Sequence, residues 1–335
     1  MSAFPLCRHG VPAIALLAAL AACSGQTSTG AYVPTAAALS RQPLTGESAQ
    51  PNHHARIFTA NRDGGGVLAF DAEASGNVAP LASIVGPKTK LSDPDAVALD
   101  ASGNIYAADD GGTQVEVFRP TANGDVKPKR VIGGSKSNLG PTEGLMVDSS
   151  GNLWVSDYSN SAVTEYAAGA HGNVAPIDTL SGSNTRMSEP LGMATDATGR
   201  LYVASGGSSA VLVFAKGAHG NASPVASIAG SNTGLIKPFA IALDSKGRLL
   251  VADEGAGILV FAKGASGNVA PTAIITGLSY PAGIAADAKD HIYAADFSGD
   301  AIKEYASNAN GNATPLRTIA GSNTMLSGPA FLAIH

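Results

Sequence analysis

Six copies of a short phrase, Gly-Asn-Val-Ala-Pro or a close variant, divide this chain at nearly constant spacing. The prolines that close them are Pro80, Pro128, Pro176, Pro224, Pro271 and Pro315, giving intervals of 48, 48, 48, 47 and 44 residues. A chain with such a period folds as an array of like supersecondary units, each burying its apolar face against the next. The period also sorts the residues. One that recurs in every copy reads as structural, and one that breaks the pattern reads as functional.

A single copy shows the content of the unit. Leu191 to Thr195 is a short apolar run, and Asp196-Ala197-Thr198-Gly199 signals a turn. Leu201 to Ala204, Ala210 to Ala215 and Val225 to Ala229 follow as three more apolar runs separated by Gly, Ser and Pro clusters. Runs this short between turn residues read as a meander of antiparallel strands, and no segment offers a helical period of useful length. Four strands in a unit of about 47 residues is the arithmetic of a propeller blade. The expected fold is therefore an all-β, six-bladed β-propeller. The Asp-x-x-Gly turns starting at Asp100, Asp148, Asp196 and Asp244 recur, with Asp287-Ala-Lys-Asp290 as a degenerate copy. Their carboxylates read as hairpin hardware, since Asp caps the turn and Gly accepts its left-handed exit.

The ends of the array predict how the ring closes. Pro94, Pro141, Pro190, Pro238, Pro281 and Pro329 each introduce an innermost strand. The first apolar run, Ala55 to Ala60, aligns with the second strand of a blade, so the first blade lacks its innermost strand. The last run, Ala330 to His335, aligns with the missing one. Pairing the two removes two open sheet edges.

Composition narrows the function. Formal net charge is −5 and no Lys/Arg block occurs, which argues against a nucleic-acid partner. The two cysteines, Cys7 and Cys23, both lie near the N-terminus, so the repeats hold neither a disulfide nor a thiol nucleophile. Residues 1–22 carry Arg8 and then an apolar or small run from Val11, the layout of an export signal. The run ends in Leu20-Ala21-Ala22-Cys23, which resembles the lipobox of bacterial lipoproteins. That resemblance implies acylation of Cys23, cleavage before it, and a membrane partner through the lipid anchor. Ser24 after the cysteine implies passage to the outer membrane. The other reading is an ordinary signal peptide followed by a chance cysteine. Residues 23–52 then form a polar tether spanning on the order of 30 Å, and residues 53–335 form the propeller.

The phrases Pro-Ala-Gly-Ile-Ala-Ala-Asp (281–287), Ile-Tyr-Ala-Ala-Asp (292–296) and Leu-Trp-Val-Ser-Asp (153–157) resemble the NHL repeat. Related six-bladed propellers include gluconolactonase-like hydrolases, virginiamycin B lyase-like enzymes, amidating lyases and many binding modules. In that family's geometry, the loops leaving the second strand and entering the first share one face near the axis. The first set of positions holds Asn61, Asp109, Asp157, Ser205, Asp253 and Asp296. Four carboxylates around a pore mouth suit a divalent cation; alternatively each accepts backbone N–H bonds in its own loop.

The second set is less uniform. Asp95 follows Pro94, and Glu143 lies in Pro-Thr-Glu-Gly with one extra residue, whereas the counterparts are Leu191, Phe239, Ala282 and Ala330. Gluconolactonase-like enzymes place an acidic metal ligand near such a position, so Asp95 and Glu143 read either as converging ligands or as two solvated loop acids. The connection Gly277 to Pro281 is four residues shorter than Gly230 to Pro238. It predicts a notch in the rim with Tyr280 exposed, a docking point or neutral loop drift. No histidine shows an evident acid–base partner or metal-ligand spacing, and no Gly-x-Ser-x-Gly elbow occurs. The expected function is an envelope-anchored module that binds a small ligand or a protein and needs no cofactor. The alternative is a metal-dependent lactonase-like hydrolase, and a third reading is a structural spacer.

Overall fold

The alternation of short apolar runs with turn signals produces 24 strands in the structure, a computed structural model that describes residues 55–110 and 112–335. The expected export signal, Cys23 and the tether lie outside the described residues. The strands form six four-stranded antiparallel sheets. Each innermost strand contacts the innermost strands of both neighbouring sheets, which closes them into a ring. The molecule is a six-bladed β-propeller.

In the copy used above, the strands are Pro190–Thr195, Leu201–Ser205, Ala210–Phe214 and Ala226–Ala229. They pair in that order from the axis outward. The innermost strands of the second to sixth blades begin at Pro94, Thr142, Pro190, Pro238 and Pro281. Proline stands first in four of these, where its missing N–H does not interrupt the ladder. In the third blade the extra residue moves Pro141 out of the strand, and Thr142 takes its place opposite Asp157.

The ring closes as the termini predict. Pro329–Ile334 pairs antiparallel with Arg56–Asn61, with Ile57 opposite Ile334 and Phe58 opposite Ala333. Arg56 and His335 exchange backbone hydrogen bonds of 2.9 and 3.1 Å. A second seam runs outside the first and explains the repeated phrase. In five of the six junctions its glycine bridges the outer strand of the preceding blade, as Gly172 does to Ile132 and Gly220 to Leu180. The next residue caps that blade's following turn: Asn173 Oδ1 accepts from Lys136 N at 2.6 Å, and Asn221 Oδ1 from Asn184 N at 2.7 Å. Between last and first blades, Gly76 bridges Ile319 and Asn77 accepts from Asn323 N. The outer edge of every blade so joined is covered rather than open.

The core lies between the blades. Phe70, Phe118, Tyr166, Phe214, Phe261 and Tyr305, one at the end of each third strand, are fully buried. Each such ring removed from water contributes roughly 2–3 kcal/mol. Near the axis the innermost strands approach so closely that side chains are excluded. A Cβ on Gly144 would lie 2.3 Å from Leu191 O, and one on Gly283 would lie 2.2 Å from Ala330 O.

Candidate functional site

All six innermost strands share an irregularity that builds the site. Immediately after the first residue the pairing register slips, as between Pro94 and Ala96, Thr142 and Gly144, and Pro238 and Ala240. A bulge re-aims the unpaired residue. The residues at the slips are Asp95, Glu143, Leu191, Phe239, Ala282 and Ala330, so the positions matched in the sequence are equivalent in space. They stand at the blade end where the second strands finish, because Pro94 pairs with Asp109 and Pro281 with Asp296.

A cavity of about 240 Å³ lies at this end, lined by Arg62, Asp95, Phe239, Tyr280, Ala282 and Phe297 among others. These residues come from the first, second, fifth and sixth blades. The second and fifth stand opposite each other in the ring, so the cavity lies on the axis.

Its two sides differ in chemistry. On one side Asp95 is 1% exposed, and Arg62 Nη1 lies 3.6 Å from its Oδ1. The same guanidinium pairs with Asp110. Glu143 neighbours both Asp95 and Asp110, whose charges act on it. Burial first, and then the neighbouring charge of Asp95, push the Glu143 carboxyl up to about 9. Burial raises Asp95 as well, against the pull of Glu143 and Arg62. Two carboxyls this close share one proton at neutral pH, and Glu143 is the better place for it. Asp95 and Glu143, from adjacent blades, stand as neighbours at this end of the ring.

The other side is aromatic. Phe239 packs edge-on against Tyr280 at 6.4 Å and tilted against Phe331 at 5.4 Å, and Tyr280 meets Phe297 at 5.6 Å. Tyr280 is half-buried, which corrects the expectation of an exposed ring at a notch. It packs between Phe239 and Phe297, beside Glu254. Burial and the Glu254 charge raise the phenol above its ordinary value.

The other set of predicted acids has a different occupation. Asp253 accepts from Ile236 N, Lys237 N, Gly255 N and Ala256 N at 2.9–3.2 Å. Asp296 accepts from Ser279 N and Tyr280 N and pairs with Lys303 Nζ at 2.7 Å. Asp109 accepts from Ser92 N, and Asp157 from Asn160 N and its side-chain amide. Ser205 and Asn61 do the same with Ser188 N and Ser327 N. These residues brace the loops of their own blades. Among the described residues, no three His, Cys, Asp or Glu side chains gather to hold a metal ion.

Two residues of the site escaped the sequence reading. Arg62 and Asp110 stand one position beyond the second strand, where the sixth blade has Phe297. Histidine requires a correction too. His291 Nδ1 lies 3.1 Å from both Asp287 Oδ2 and Glu304 Oε1, so it does have carboxylate partners. They stand at the hairpin end of the sixth blade, away from the axial cavity. His171 and His219 occupy exposed turns, as expected.

No protein-family model matches the chain, and no curated protein matches it. Solved structures do. A protein of unknown function from Bacteroides caccae is 12% identical with a TM-score of 0.59, over 84% of this chain and 98% of that one. A chain of a nidogen/laminin complex is 14% identical with the same TM-score of 0.59, again over 84% and 98%. Virginiamycin B lyase from Staphylococcus aureus is 16% identical with a TM-score of 0.51, over 71% and 73%. At these identities the likeness is one of fold, shared by proteins with different roles.

Proposed function

We propose that this propeller is an exported, lipid-anchored binding module whose axial cleft receives a small organic ligand. The observation that carries the reading is the cleft itself: the bulges place Asp95, Phe239 and Ala282 on one cavity, with Asp95 and Arg62 on one side and the rings of Phe239, Tyr280 and Phe297 on the other. A concave site with a few convergent polar groups and an apolar wall is what small-molecule recognition requires. The recurring acids support binding over metal-assisted hydrolysis, because their oxygens already accept backbone N–H groups. Support for the anchor is Leu20-Ala21-Ala22-Cys23 at the end of the apolar run.

The cleft is tested by a melting screen against a small-molecule library. Compounds that raise the melting temperature of the native protein should lose that effect in Ala282→Leu, which fills the cavity. A library in which nothing separates the two proteins would refute the reading. For the anchor, Cys23→Ser should move the protein from the membrane fraction to the soluble one. Equal membrane retention of both forms would remove lipidation from the account.

A further inference from the structure

Resting on the ligand-binding reading above, we propose that the axial cleft takes a protonated amine carried on a small apolar body. The ammonium group sits on Asp95 Oδ2, and the body lies against Phe239, Tyr280 and Phe297.

The first argument is an unmet valence. Asp95 is 1% exposed and lines the cavity, yet no N–H or hydroxyl donor reaches its Oδ2. A buried carboxylate oxygen left in that state is costly unless a donor reaches it. Arg62 does not serve, since its Nη1 approaches the other oxygen only to 3.6 Å and its Nη2 is taken by Asp110. The remaining group in range is Glu143, itself a carboxyl, which donates only through a proton it must hold for the purpose. An ammonium group brings N–H donors and a positive charge to the same oxygen.

The second argument is charge. Asp95, Asp110 and Glu143 face one guanidinium, Arg62. Even with one proton held among the acids, the polar side is left negative. Glu254, on the rim beside Tyr280, is matched separately by Lys237 at 2.9 Å. An anionic ligand would meet this surplus head-on, while a cationic one removes it.

The third argument is the wall and its size. Three rings border the cavity, Phe239 and Phe297 each packing on Tyr280 at 6.4 and 5.6 Å, and aromatic faces attract a nearby cation. A volume of about 240 Å³ is below the usual range of drug-sized pockets. It suits a head group with a single ring or short alkyl chain, and a larger ligand would leave its remainder outside.

The inference is tested on the protein with three probes of one shape: phenethylamine, 2-phenylethanol and phenylacetate, titrated by ligand-observed NMR. The amine should saturate with an affinity roughly tenfold above the alcohol, with phenylacetate weakest. Asp95→Asn, confirmed as folded by its melt, should lose that tenfold for the amine and leave the alcohol unchanged. Ala282→Leu should exclude amine and alcohol alike. If the alcohol or phenylacetate binds as tightly as the amine, or if Asp95→Asn leaves amine binding intact, the amine assignment is wrong while the ligand-binding reading survives. Absence of saturable binding by all three also overturns the amine assignment; the wider reading then stands or falls with the library screen.

Discussion

Asp253 and Asp95 are both buried aspartates at the same end of the ring, and they are used in opposite ways. Asp253 belongs to a position that holds Asp in four of six blades, and four backbone N–H groups surround it. Asp95 occupies a position that is acidic in only two blades, and no N–H or hydroxyl group reaches its Oδ2. Aromatic residues divide in the same way. The recurring Phe70, Phe118 and their equivalents are sealed between blades, whereas Phe239, Tyr280 and Phe297 break the repeat and border the cavity. In these two comparisons the repeated residue holds the ring together, and the exception lines the cavity.

The comparison is broken most forcefully at Asp253. Asp253→Ala strips the buried acceptor shared by four N–H groups of the loop, at a cost of about 3 kcal/mol. In a domain of this size that lowers the melting temperature by about 6 °C or more. A calorimetric melt within a degree of the native protein would mean that these bonds are not what fixes the loop.

Glu143 should respond in the reverse sense. Its folded-state carboxyl is raised to about 9, above its value in the unfolded chain, so the native state binds more protons between those two values. Stability linked to this group is therefore full at low pH and is lost as pH rises from about 4.5 towards 9. Glu143→Gln keeps the amide as a permanent donor and cannot ionise. It should gain about 1 kcal/mol at pH 8 and nothing at pH 4, flattening that part of the pH–stability curve. Denaturant titrations at the two pH values decide the matter, and an equal change at both would show that Glu143 titrates alike in the folded and unfolded chain.

How far the sequence could be read follows the same division. The 48-residue period carried strand count, blade number and ring closure, because each strand had five aligned counterparts to confirm it. Asp95 and Glu143 were visible as departures within an alignable position, one of them marked by an extra residue. Arg62 and Asp110 were not, because their position varies freely from blade to blade and leaves no repeat to depart from. Aligning one residue beyond the second strand would have found them. Tyr280 was located correctly and oriented wrongly. Loop length reveals that a rim is short, but the direction of a side chain is set by Phe239, Phe297 and Glu254, which come from elsewhere in the chain. His291 failed for the same reason: its partner Glu304 lies on the next strand, thirteen residues away.

The hydrogen bonds between Arg56 and His335 place both of those residues at the start of the second strand of the first blade. The cleft lies past the other end of that strand, beyond Asn61 at Arg62. A six-residue strand spans roughly 20 Å. Ala55 and His335 therefore lie at the end of the first blade opposite the cleft. A fluorophore or an immobilising group attached at His335 sits a strand's length from the cleft and reports on it without covering it.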